Sequence, residues 1–365
     1  ELESNTEKKH INFADYAEVC AKHGIDEEKD QLYLSRYLHD LGVILHYQDD
    51  AALIDFIVLD PQWAVDAVYV LLSNTLVKDQ QGRFSEHQLF EMWLDKYSKQ
   101  ECLKLLSLMK RDHFEICYQL NDTTEAHFVA PSLLPGERPG YDWDKNANLQ
   151  FQYDYPFMPK GIMARLMVRL HDIIEKVENS ELIWQRGIVL KSGEVRAELI
   201  QDEDLNTGAQ TINIRIQGND YYKRELLSRV RNEVEAIHKR SFKGLRVEEF
   251  VQCTCDKCMA DSKPVFHAFS ELEKYVSFRR PTVFCSNSGE DVSIRALLEG
   301  IVEPINAPIR KHGLFAWEVD YDIDKYQKMH QQAPPVNVSV NVQQDNKNSA
   351  QNETTVNVTI NQTIN

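Results

Sequence analysis

The stretch Tyr37-Leu38-His39-Asp40-Leu41-Gly42-Val43-Ile44-Leu45-His46-Tyr47 changes its construction in the middle. Leu32, Leu34, Tyr37, Leu38 and Leu41 follow a helical rhythm that stops at Gly42, the residue type that most readily adopts the left-handed turn closing a helix. Val43–Tyr47 is then β-rich, Gln48-Asp49-Asp50 is a polar turn and Leu53–Leu59 is β-rich again, which predicts a hairpin. Asp60-Pro61 restarts a helix, with Asp as N-cap and Pro at the first helical position. Helix, hairpin and helix in such close succession put the chain in the α+β class.

Outward from there the same signals repeat. Phe13–His23 has a helical pattern, and Asp26 is placed to cap the helix that ends at Gly42. Trp63, Ala67, Val70 and Leu71 share a stripe, with Trp63 expected as a core anchor under the hairpin. After a turn at Gln81-Gly82, Ser85 caps a helix carrying Leu89, Met92 and Trp93, and a further helix spans Gln100–Arg111. Strands are expected at Phe114–Gln119 and Ala126–Val129, followed by the breakers Pro131, Pro135, Gly136, Pro139 and Gly140. Helices followed by a two-stranded wing predict a winged-helix-like first subdomain over residues 1–140.

The second subdomain, residues 141–325, opens with a strand at Leu149–Tyr155. Ile162, Leu166, Leu170, Ile173 and Val177 at spacings of three and four predict one helix. Strands at Gly187–Leu190, Val195–Ile200 and Thr211–Ile216 form an antiparallel set, before a helix from Asp220 to about His238 and a strand at Arg246–Cys253. Residues 326–365 are an Asn/Val-rich tail. It is expected to be disordered, or else to pair as β-structure with a second copy.

The 365 residues carry 41 Lys and Arg against 57 Asp and Glu, a net charge of −16, which disfavours a general nucleic-acid or anionic-membrane binder. No apolar run approaches the length of a membrane span. No Gly precedes a Lys, and neither G-x-G-x-x-G, H-E-x-x-H nor G-x-S-x-G occurs, so the common phosphate-loop and hydrolase signatures are missing. His39-Asp40 and His46 lack a neighbouring nucleophile and read as structural histidines. A basic segment with Lys223, Arg224, Arg229, Arg231, Lys239 and Arg240 is expected to be a solvated helix face or to meet an acidic partner. Its alternative is a nucleic-acid-binding face.

Seven Cys is an odd number, and three of them crowd into Cys253-x-Cys255-x2-Cys258, with Cys285 downstream. This points to a reducing, cytoplasmic setting. Cys255, Cys258 and Cys285 match three quarters of a tetrahedral zinc site, with Cys253 or His267 open as fourth ligand. Such a zinc would stabilise an insertion at about residues 251–290. Reduced free thiols are the other reading.

The opening motif, followed by Val58-Leu59-Asp60-Pro61-Gln62-Trp63, resembles the COR domain of Roco GTPases. Phe128-Val129-Ala130-Pro131-Ser132-Leu133-Leu134-Pro135, Phe157-Met158-Pro159-Lys160-Gly161-Ile162-Met163-Ala164-Arg165-Leu166 and Trp184-Gln185-Arg186-Gly187-Ile188-Val189-Leu190 continue the resemblance in family order, over roughly residues 10–320. The resemblance implies a non-catalytic regulatory and dimerisation module from a larger, prokaryotic-type Roco protein. Its first subdomain would pack on a Ras-like Roc domain and its second would join two copies. GTP, GDP and Mg would belong to Roc and not to this chain. On this reading Phe56, Ile57, Val58, Leu59 and Trp63 are candidates for the Roc-facing surface, although four apolar residues in a row equally suit a strand buried on both faces.

Overall fold

The computed structural model describes residues 8–301, apart from 111–112, 121–124, 145–148, 204–207, 262 and 300, together with the short pairs 340–341 and 357–358. Residues 1–304 form one compact unit and residues 305–365 another. In the second unit Val340–Asn341 pairs antiparallel with Asn357–Val358; the rest of the expected tail lies outside the described residues. No helix among the described residues is long and apolar enough to cross a membrane.

The expected hairpin is present, formed by Leu45–His46 and Ile57–Val58. A third strand, His10–Ile11, pairs with the other edge of Ile57–Val58 and makes that strand central. The helix Glu28–Asp40 leads in and closes on Gly42 at φ +73°, whose N–H reaches the His39 carbonyl. Its N-cap is Glu27 rather than Asp26, without a side-chain bond. Asp60 caps the helix Pro61–Ser73 as expected, accepting the Gln62 N–H at 3.1 Å. Ser85 and Gln88 form a reciprocal capping box on Glu86–Trp93. Ser98 and Glu101 do the same on Lys99–Met109.

Where the sequence predicts a two-stranded wing, the chain forms a three-stranded sheet instead: Arg83–Ser85 and Tyr118–Leu120 flank His127–Val129. Helices and sheet close over a core that includes Leu71, Phe84, Leu89, Trp93, Leu105 and Phe128.

The second half is built on a seven-stranded, wholly antiparallel sheet. From one edge the strands run Ile183–Trp184, Gly187–Ser192, Val195–Glu203, Gln210–Gln217, Leu149–Tyr155, Glu248–Gln252 and Phe266–Ala268. The helices Ile162–Arg169 and Asp220–Ser241 pack on each other, and Asp220–Ser241 packs on this sheet. Here the expected long helix is corrected. It ends at Arg169, passes through a short 3₁₀ turn at His171–Ile173, and Val177 lies in a two-residue hairpin with Ser180–Glu181. Glu178 and Asn179 turn that hairpin at φ +48° and +65°, the conformation of a tight two-residue reversal. An apolar residue every third or fourth position therefore crossed three kinds of local structure.

Candidate functional site

The turn Pro131–Leu133 packs on the helix Ile162–Arg169, and beside it the two halves meet through charge. Glu115 follows the helix Lys99–Met109 and sits at φ +57°, a left-handed conformation that costs a non-glycine residue energy. That geometry turns its fully buried carboxylate toward the helix Ile162–Arg169. One oxygen accepts from Arg165 at 2.7 Å, the other from Arg169 at 2.5 Å. Arg169 spans onward to Glu233 on the helix Asp220–Ser241 at 2.6 Å. Burial works against the Arg169 charge, but the hydrogen bonds it donates to Glu115 and Glu233, with their negative charges, outweigh it and raise its pKa.

Nearby, Tyr118 donates to Glu181 at 2.8 Å and stacks on His171 at 5.2 Å. The connecting segment is anchored too. The Pro135 carbonyl accepts the Gln185 N–H, and Arg138 and Tyr141 both reach the buried Glu198 at 2.5 Å. Composition gave no sign of this set. The two arginines on the otherwise apolar Ile162–Arg169 helix were the available signal.

Phe56, Ile57 and Val58 are corrected as surface candidates, because all three are buried. Their strand is central in its sheet and has a core on each face. Ile57 packs with Ile11, Tyr16 and Ile44, while Phe56 and Val58 join the larger cluster around Trp93. Leu59 and Trp63 are half-buried, and Trp63 lies against Tyr97 at 5.3 Å. On the same half the exposed apolar surface is elsewhere. Tyr33, Tyr37 and Leu41, spaced by four along the helix Glu28–Asp40 and its cap, are 74, 54 and 59% exposed.

His39, His46 and His113 each have a polar partner. His46 is buried, with its ring nitrogens 2.9 Å from the Ser35 hydroxyl and from the Ile54 carbonyl. His39 Nδ1 accepts the His46 N–H at 3.3 Å. His113 pairs with Asp50 at 2.6 Å.

The basic segment is largely neutralised within the chain. Arg229 forks onto Asp172, and Lys239 pairs with Glu235 one turn away. Arg231 binds Glu249 at 2.6 Å and lies over the rings of Phe151 and Phe269. Lys223, Arg224 and Arg240 lie on the same helix.

The cysteines converge. The Sγ atoms of Cys253, Cys255, Cys258 and Cys285 all lie within 4.8 Å of one another. His267, the other candidate ligand, is outside this group on the edge strand Phe266–Ala268. The Cys258 N–H lowers the Cys255 thiol pKa. Burial pushes Cys285 up, but the Ser288 and Asn287 N–H groups and the Ser288 hydroxyl overcome it and hold it at about 6. Burial raises Cys253 and Cys258.

Comparison with known proteins matches both halves. Residues 1–134 match the "C-terminal of Roc, COR-A domain" and residues 146–300 the "C-terminal of Roc, COR-B domain". The chain is 29% identical over 201 residues to the probable serine/threonine-protein kinase roco11 of Dictyostelium discoideum. It is 30% identical over 189 residues to a Roc-COR-CHAT protease of Runella zeae. Each match covers 50% of this chain but only 13% and 19% of the respective relative. A solved structure of Methanosarcina barkeri Roco2 RocCORdC bound to GDP aligns with a TM-score of 0.31 at 27% identity, covering 35% of this chain and 39% of that one. With both domain models in order along one chain, this protein belongs to the COR family and is a COR domain of a Roco protein.

Proposed function

We propose that this chain is a non-catalytic regulatory and dimerisation module that passes the nucleotide state of a Ras-like Roc domain, in the same polypeptide, to the association of two copies. The observation that carries the reading is the buried Glu115–Arg165–Arg169–Glu233 set between the two matched domains. An apolar seam is held by area alone, whereas an ionic one depends on the directions of a few charges. A small displacement on one side is therefore costly unless the other side follows.

Roc would dock on the first half. Since Phe56–Val58 are interior, the stripe Tyr33, Tyr37 and Leu41 becomes the proposed face. Aromatic side chains exposed along one helix face suit such an interface. The second half would join copies about a two-fold axis. Nothing favours the nucleic-acid alternative, since three of the six named basic residues already have acidic partners.

The test is light scattering of the chain over a concentration series, alone and joined to its Roc domain. The mass should tend to twice 42.4 kDa for the chain alone. Tyr37→Ala should leave that mass unchanged while weakening Roc binding about tenfold or more, as loss of a well-packed aromatic anchor does. A strict monomer at high concentration, or unchanged Roc binding, contradicts the proposal.

A further inference from the structure

The four converging thiols come from two stretches of the chain. Cys253 leaves the end of the strand Glu248–Gln252, Cys255 and Cys258 cap and occupy the short helix Asp256–Ala260, and Cys285 follows the strand Thr282–Phe284. Cys285 Sγ lies 3.7 Å from Cys255 Sγ and 3.6 Å from Cys258 Sγ. A disulfide would need about 2.05 Å, and all four cysteines are free. Four sulfurs at about 2.3 Å from one tetrahedral ion stand about 3.8 Å apart, close to these separations.

The surroundings are made for sulfur that carries charge. Cys258 N–H points at Cys255 Sγ and Val265 N–H at Cys258 Sγ, both at 3.4 Å. The Asn287 amide donates to Cys258 Sγ at 3.7 Å and to Asp261 at 2.9 Å. Lys257 bonds the Asn287 carbonyl. A divalent ion held by four thiolates leaves two negative charges in excess, and donors aimed at the sulfurs offset them. The helix and the hairpin are thus already latched side by side around the thiols.

We propose that Cys253, Cys255, Cys258 and Cys285 form a closed four-thiolate site for a structural Zn²⁺ that fastens the hairpin Thr282–Phe284 and Asp291–Ser293 to the end of the seven-stranded sheet. Each thiol that is still protonated releases its proton to solvent as it ligates, and no electron is transferred. Four protein ligands leave no position for a water, so the ion stabilises and does not catalyse. The hairpin needs such a fastening. Of its six strand residues only Val292 is buried, and Phe284 is 61% exposed. His267 is not a ligand and packs within the sheet edge.

The test is the metal content of the full chain, purified from zinc-supplemented medium and gel-filtered free of loose metal. One zinc per chain is expected, released by a mercurial thiol reagent and read with a zinc-sensitive dye on the intact wild-type protein. Zinc-stripped protein refilled with Co²⁺ should show the visible bands of tetrahedral thiolate cobalt. His267→Ala should keep its zinc, and Cys285→Ser should lose it. Wild-type protein that is folded by circular dichroism and holds no zinc, or holds iron instead, overturns the assignment. So does loss of zinc in His267→Ala.

Discussion

The first half of the molecule is closed by apolar packing, whereas the seam that joins it to the second adds a buried ion set to its packing. The first half buries Trp93, Phe84, Phe128 and Leu105 almost completely, and Trp93 donates its one polar hydrogen to the Ala67 carbonyl at 3.1 Å. The seam buries carboxylates and guanidinium groups. Apolar packing is non-directional and tolerates adjustment by many small contacts. A buried ion set contributes little net stability but holds one geometry, and it fails sharply when a partner is removed. The contrast suits a rigid body coupled to a neighbour whose orientation matters.

Substitutions can break that comparison from either side. Trp93→Ala should cost about 3–5 kcal/mol through lost burial and the cavity it leaves, seen as a lower urea midpoint for the whole unit. Glu115→Gln should cost a comparable amount, about 3–5 kcal/mol, because it leaves buried guanidinium charge uncompensated. Its signature should be a changed relative orientation of the halves in small-angle scattering, with the first-half core intact by hydrogen exchange. If Trp93→Ala alters the orientation and Glu115→Gln does not, the division of labour is wrong.

The smallest effect concerns pH. Burial lowers the pKa values of His39 and His46 below the ordinary 6.5, outweighing the Asp40 and Ile44 groups at His39 and the Ile54 and Asp55 groups at His46. The unfolded chain therefore binds more protons than the folded one as pH falls below 6.5, and stability present above that value is lost. The urea midpoint should decline between neutral pH and about pH 5, and His46→Gln should flatten that slope. A midpoint independent of pH there would remove the histidines from the account.

What could be read beforehand follows the range of each interaction. The caps at Asp60 and Ser85 and the stop at Gly42 are local, carried by residues that bond within a turn, and they were legible. The strands His10–Ile11 and Lys176–Val177 were not, because two residues carry no periodicity and their pairing is set by distant or tightly turned partners. Phe56–Val58 read equally as core or as surface, since a strand's apolar run does not say how many faces are covered. Cys253 and His267 were indistinguishable as a fourth ligand for a similar reason, as spacing does not reveal the path of the backbone. Glu115 and Arg169 are 54 residues apart, a separation at which nothing in composition couples them.

On the proposed reading, this two-part body converts a switch domain's nucleotide state into a change in pairing. Light scattering of the joined Roc and COR segments, loaded in turn with GDP and with a non-hydrolysable GTP analogue, tests it most directly. The dimer fraction at fixed concentration should differ between the two states, and Glu115→Gln should shrink that difference. Identical masses in both nucleotide states across the whole concentration series would contradict it.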